Sequence, residues 1–459
     1  MVPCREKSFF LFLFLIFVYF FCLVHPSIPY NGDDWRYLSY ARHAWPEAAE
    51  WNPARILPEV LLPAIGCMSA FLYKMGIDYI SSVSIIYGIF LSFLLTVLAY
   101  NFYRLFCDIL AGDNLGALLL VSFFMLSSFF MFEKCQNGNV FLFYATYFCT
   151  GIYYVASNII NSILTIILFR YSLNDSIIDD KEYSIPFLVL LMYISQFSMT
   201  FSALISTSSA FFIFIIKYKE GLIRKDYILL VPIVFFVIAA SFDMAGNRFD
   251  ALQKSEVSLS TVIFSFHDFL LNLRNDFIGL CSLIILSYFI TIYIKKEQNN
   301  VFYIIMMCLM SMFLIFFFDL VLSMRTMDFM KRIEATYGIF FFLLLSVTCC
   351  LCYLLKKFTL VKILLPMFIL FLMVDVLHVN KIYADTYGAD KRYIVESWLA
   401  DIKKAENNGA SSVVINVPQI GWPHPGEWFG EVVSQTLYAH RVTKNKMTII
   451  LSDGKSISQ

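Results

Sequence analysis

Two adjacent aspartates, Asp33 and Asp34, follow the first apolar run and stand beside Trp35 and Arg36. Neighbouring carboxylates repel each other. The repulsion raises the pKa of one of them, as a general base for a hydroxyl group requires. The same pair also reads as a solvated loop in which an aspartate caps a helix. Arg55 and Glu59 lie four apart on one helical face, at the edge of an apolar segment. They form either an ordinary surface pair or ionisable groups held near hydrocarbon because function needs them there. Further along come Gly246-Asn247-Arg248, and then Arg325, Lys331 and Arg332 with Glu334. Guanidinium and ammonium groups in such loops fit an anionic ligand such as a lipid-linked phosphate, or else lipid headgroups and the nearby Asp319 and Asp328. His267 and His424-Pro425-Gly426-Glu427 have no partners at metal-ligand spacing and read as loop residues.

The elements that must position these groups are membrane spans. Of the 459 residues, 59% are apolar and 15% charged, against about 45–50% and 25% in a soluble domain. The apolar residues collect in runs long enough to cross a hydrocarbon core of about 30 Å. The 34 basic and 34 acidic residues balance, which argues against nucleic acid as a partner. The 11 cysteines sit in or beside apolar runs. No extracellular disulfide framework is expected from them, and Cys349, Cys350 and Cys352 read as packing residues.

Phe9 to Val24 follows Arg5 and Lys7 and lacks a small-x-small cleavage site, so it reads as a first span with a cytoplasmic N-terminus. The next polar stretch carries Trp35, Trp45 and Trp51, which predicts a segment at the membrane interface. Residues 56–75 contain Pro58, Glu59 and Pro63 and read either as a broken span or as a helix sunk in the interface. Spans are predicted at 79–102 and 115–132, and one span with a short lid within 140–169. Residues 185–216 hold one tilted span or two short ones meeting near Gln196-Phe197-Ser198. In the back half, spans at 227–242, 278–294, 301–318, 337–355 and 363–379 alternate with basic turns at Lys217–Lys225, Lys295-Lys296 and Lys356–Lys362. Those turns agree on one orientation. The outer loops are then 25–58, 243–276 and 319–336. The expected fold is an all-α polytopic membrane protein of about 10–12 transmembrane helices, residues 1–379, with a small α/β unit at 380–459. That unit is predicted as a helix over 390–406, a strand at Val413–Val417, a helix from Glu427 to about Tyr438, and a strand at Met447–Leu451.

With these residues placed, the chain resembles the bacterial O-antigen-modifying glucosyltransferases of the Gtr type and related multi-span families of the GT-C class. The resemblance is carried by Asp33-Asp34 after the first span, Arg55 some twenty residues on, Gly246-Asn247-Arg248 in a later outer loop, Lys331-Arg332 before a late span, and a short outer C-terminal unit. The related pattern often has Pro before Gly-Asn-Arg, whereas here the residue is Ala245. The resemblance implies transfer of a single hexose such as glucose from a polyprenyl-phosphate donor to a lipid-linked or surface glycan. The site would lie on the periplasmic face of the bacterial inner membrane. Asp33 or Asp34 would act as base; Arg55, Glu59, Arg248, Arg325, Lys331 and Arg332 would serve donor phosphate and substrate. A monophosphate leaving group can be stabilised by cations alone, so no metal or other cofactor is expected. The competing readings are an O-antigen polymerase or ligase and a flippase or transporter of lipid-linked sugars.

Overall fold

A computed structural model describes residues 4–132, 141–145, 147–174, 183–252, 258–271, 273–295, 300–324, 330, 332–378, 386–417 and 428–452. The first helices are α1 (Cys4–Tyr19), continued by a π-helical turn to Val24, α2 (Gly32–Ser39), α3 (Ile56–Lys74), α4 (Tyr79–Ile109) and α5 (Asn114–Phe130). There follow α6 (Phe148–Thr150), running through a π-helical turn into α7 (Ser157–Leu173), then α8 (Ile185–Gln196), α9 (Thr200–Glu220) and α10 (Leu230–Met244). The chain continues with α11 (Asn247–Leu252), α12 (Leu259–Leu270), α13 (Asn275–Lys295), α14 (Asn300–Ser323), α15 (Ile333–Lys357) and α16 (Thr359–His378). The last elements are α17 (Thr386–Asn407), β1 (Ser412–Asn416), α18 (Phe429–Ala439) and β2 (Thr448–Ser452). Among the described residues, 9 helices are long and apolar enough to cross a membrane, and three shorter apolar ones cover Asn114–Phe130, Ile185–Gln196 and Thr359–Val374. The architecture is thus polytopic and helical. Helices satisfy every backbone group within the segment, as hydrocarbon demands.

Side-chain bonds sort the helix termini into two ends. At one end Asn114 donates to Glu6 (2.7 Å), Arg170 to Asp108 (2.7 Å), Lys356 to the Ile109 carbonyl (3.3 Å) and Lys362 to Asp113 (2.8 Å). At the other end lie α2, the start of α4, the turn between α8 and α9, and the first turn of α15. Helix α3 begins and finishes at this second end. Its Leu57 N–H donates to Phe197 (3.1 Å), its Glu59 bonds Tyr153 (2.9 Å), and its Tyr73 ring packs on Tyr79 at the start of α4. Of the two readings of residues 56–75, the geometry matches a helix laid across one end. Residues 185–216 form two helices, with the break at Phe197–Met199. At about 1.5 Å per residue, the 12-residue α8 is only about 18 Å long.

Two expectations are corrected. Trp35 is wholly buried, stacked near Tyr79, while Trp45 and Trp51 are exposed. A ring inside the α2–α4 junction packs the core and does not meet the interface. The loop expected to start at Asp319 begins later, because α14 runs on to Ser323. Asp319 is buried inside it, and neither carboxylate oxygen has a hydrogen-bond partner. The spans α7, α8 and α9 are also not uniformly apolar. Asn158 donates to the Glu334 carbonyl (2.8 Å) and accepts from Ser202 (2.6 Å). Asn161 accepts from Ser206 (2.6 Å) and donates to Ser198 (3.2 Å), and Gln196 bridges Ser206 and Thr207 (2.8 Å each). Small hydroxyls and amides let these helices approach closely and pair most of their polar groups with one another, although the Thr165 and Ser195 hydroxyls have no partner.

The C-terminal elements follow the expected order. β1 and β2 pair in parallel, Ser412 opposite Thr448 through Asn416 opposite Ser452, with α18 as the crossover. Helix α18 packs on α2, where Thr436 donates to the Trp35 carbonyl (2.7 Å) and shares a hydrogen bond with Ser39 (2.8 Å). His440 meets the Tyr79 hydroxyl at 2.7 Å. Burial lowers the His440 pKa to about 4, against a Leu38 backbone bond that favours protonation.

Candidate functional site

The site gathers at the end that carries α2. The adjacent aspartates do different work there. Asp34 is the third residue of α2 and wholly buried. Its Oδ2 accepts the backbone N–H groups of Tyr30 (2.9 Å) and Asn31 (3.1 Å), and its Oδ1 that of Cys149 (2.7 Å). It caps α2 and ties the helix to the α6 turn across more than a hundred residues. Burial raises its pKa, and the backbone donors offset only part of that rise. Asp33 instead is exposed. Desolvation in its cleft raises its pKa, opposed by the positive charges of Arg36 and Arg248. An accessible carboxylate with a raised pKa is suited to accept a proton; a carboxylate holding three N–H groups is suited to hold the chain.

Arg55 precedes α3 and is buried, and its Nε has no hydrogen-bond partner. Glu59 does not pair with it. Both Glu59 oxygens are taken, Oε2 by Arg42 at 2.9 Å and Oε1 by the Tyr153 hydroxyl at 2.9 Å. The Arg42 and Glu59 side chains are 3% and 4% exposed, and Arg42 also donates to the carbonyls of Asn52 and Pro53. This ion pair braces the 52–55 turn that presents Arg55. Sequence reasoning placed Arg42 beside the capping aspartate and did not link it to Glu59, because that partner is seventeen residues away and no local pattern marks it.

Gly246-Asn247-Arg248 docks on that same turn. A Cβ at Gly246 would stand 2.7 Å from Pro53 Cδ, so only glycine lets the strands of chain touch. Asn247 donates its side-chain amide to the Ala49 carbonyl (2.6 Å) and its backbone N–H to Glu50 (3.3 Å). Arg248 then reaches Asn52 Oδ1 at 3.4 Å. Its pKa is lowered, first by the positive charge of Arg55 and then by burial. The two guanidiniums therefore repel each other across a confined space.

Arg332 caps α15 at the same end. It donates from Nε and Nη2 to Glu334 Oε1 (2.9 and 2.8 Å), and its guanidinium lies 4.8 Å from the Tyr154 ring centroid. Burial works against its charge, and the Glu334 carboxylate more than restores it. Tyr154 also interacts electrostatically with Arg248, so the π-helical turn after α6 links the two arginines. Tyr37, which accepts from Asn52 (3.2 Å) and packs its ring 5.2 Å from Tyr153, closes the floor. Tyr153 and Tyr154 were missed in the sequence because aromatic residues in an apolar run carry no signal there, and Asn52 because a lone amide in a polar loop carries none.

Asp33, Asp34, Arg55, Glu59, Arg248 and Arg332 are thus brought together from four separate stretches of chain. Arg325 and Lys331 lie outside the described residues, as do His424 and Glu427. Among the described residues, no three His, Cys, Asp or Glu side chains cluster as a metal site would need. The arrangement combines one accessible carboxylate with two guanidiniums, Arg55 and Arg248, that form no salt bridge among the described residues, which fits a ligand that brings its own negative charge. No family model matches the sequence, and no curated protein or solved structure matches it.

Proposed function

We propose that the chain is a multi-pass glycosyltransferase of the bacterial inner membrane, using a polyprenyl-phosphate sugar to glycosylate a lipid-linked or surface glycan such as O-antigen. The N-terminus would be cytoplasmic, and the site and the C-terminal α/β unit periplasmic. The observation that carries the reading is Arg55, a buried guanidinium that forms no salt bridge among the described residues and whose charge acts on Arg248, which in turn acts on the exposed Asp33. Asp33 takes the proton of an acceptor hydroxyl as its oxygen attacks the anomeric carbon. The bond from that carbon to the phosphate oxygen breaks, and its electron pair leaves with the phosphate. The carrier phosphate, now more negative, is stabilised by Arg55, Arg248 and Arg332. Attack opposite the phosphate inverts the anomeric centre. Arg325 and Lys331 belong to the same basic loop and are proposed as further phosphate ligands.

The test is sugar transfer in proteoliposomes loaded with polyprenyl-phosphate glucose and surface glycan. Activity that is lost in Asp33→Asn and kept in part in Arg332→Lys supports the proposal. A second reading, movement of a lipid-linked sugar without chemistry, draws on the buried Asn158–Asn161–Gln196 network inside the spans. It would be favoured by donor crossing the bilayer intact.

A further inference from the structure

The C-terminal unit brings an aromatic residue to the candidate base. Trp428 directly precedes α18, and its six-membered ring abuts Gly32, the residue before Asp33. A Cβ at Gly32 would lie 2.5 Å from Cη2 and 2.6 Å from Cζ3 of that ring. Trp428 is nonetheless 43% exposed. It is also held in place. Phe429 beside it is fully buried with its edge on Trp398 at 5.6 Å, and Gly430 lies against the Ile449 carbonyl with no room for a side chain. One turn on, the Val432 N–H donates to the Trp428 carbonyl (3.1 Å), and Thr436 fastens the helix to Trp35 and Ser39 of α2. The indole therefore has a fixed position relative to Asp33, set by contacts on both sides of it.

We infer that Trp428 is a stacking platform for a pyranose ring of the acceptor glycan, positioned so that an acceptor hydroxyl faces Asp33. Indole offers a broad apolar face with low conformational freedom, and a sugar ring presents a C–H face of matching size. This rests on the transferase reading of the same site and adds its acceptor subsite. It also gives the C-terminal unit a role: α18 carries Trp428 to the base.

The probe is polysaccharide released by mild acid from the surface of cells that express the protein. Titrated into detergent-purified protein, it should change tryptophan fluorescence saturably, and Trp428→Phe should abolish most of that change. In transfer assays, Trp428→Ala should raise the half-saturating acceptor concentration about tenfold with the donor value unchanged, and Trp428→Tyr should recover most of the loss. Gly32→Ala, which displaces the ring, should reproduce the effect. An acceptor value unchanged in Trp428→Ala, with Asp33→Asn still inactive, overturns the stacking subsite and leaves the transferase standing. Saturable quenching dependent on Trp428 in a protein that transfers no sugar supports the subsite and overturns the transferase. Loss of bilayer insertion with unchanged glycan quenching would make Trp428 a membrane anchor and also overturn the inference.

Discussion

Replacing the two adjacent aspartates one at a time should separate folding from chemistry. Asp34 holds the N–H groups of Tyr30, Asn31 and Cys149. A hydrogen bond to a charged group contributes about 1.5–3 kcal/mol, and a buried N–H left bare costs about 1–3 kcal/mol. Because the three bonds share one carboxylate and do not add fully, Asp34→Ala should cost about 4–6 kcal/mol, a large share of a typical 5–15 kcal/mol. Asp34→Asn keeps one acceptor oxygen and turns an amide toward the other donors, so about 2–4 kcal/mol is expected. Asp33 is exposed and makes no such bonds. Asp33→Asn should change stability by no more than about 0.5 kcal/mol while lowering transfer at least about a hundredfold. Denaturant titration of detergent-purified variants, read beside transfer rates on the same samples, makes the comparison. A stable but inactive Asp34→Asn, paired with an active Asp33→Asn, would refute the division of labour.

Four further outcomes follow from the geometry. Arg42→Ala leaves Glu59 buried without its partner and should destabilise the protein by about 3–5 kcal/mol, measured by the same titration. Arg55→Met relieves the repulsion with Arg248, so the ligand-free protein should hold or gain stability while the donor half-saturation rises at least about tenfold. The transfer rate should fall as pH drops through a value above the ordinary carboxyl range near 4, because Asp33 must be unprotonated to act and desolvation in its cleft raises its pKa. His440, with a pKa lowered to about 4, leaves the undocked form to bind the proton first. Docking of α18 should therefore be full above about pH 6.5 and weaken as pH falls toward 4, read by hydrogen exchange of the α18 backbone amides.

Much of the architecture was legible because the bilayer enforces it. Basic turns at Lys217–Lys225 and Lys356–Lys362 fixed a consistent alternation, and the break near Gln196–Ser198 marked the α8–α9 junction. Whether residues 56–75 cross was not legible. Both readings need an apolar helix, and only the contacts of Tyr73 and Leu57 with the same end separate them. The site was half visible. Asp33-Asp34 and Gly246–Arg248 stood out by residue type, but which aspartate is free depends on capping. The Asn31-x-x-Asp34 spacing did hold that clue, since an acid three residues after a cap residue reaches back to it. The Arg42–Glu59 pair and the polar network of α7–α9 are long-range partnerships, invisible to local pattern. Asp319 looked like a loop residue because sequence cannot show where an apolar helix with one acid stops.

The central claim is that Asp33 and the arginines around it break the bond between a sugar and a lipid phosphate. Following both products in a reconstituted bilayer tests it most directly. The account predicts that free polyprenyl phosphate appears one-for-one with glycosylated acceptor, that the new linkage has the opposite anomeric configuration to the donor, and that neither product forms with Asp33→Asn. Glycosylated acceptor formed at the full rate by Asp33→Asn, or donor consumed from one leaflet and recovered unbroken in the other, would contradict it.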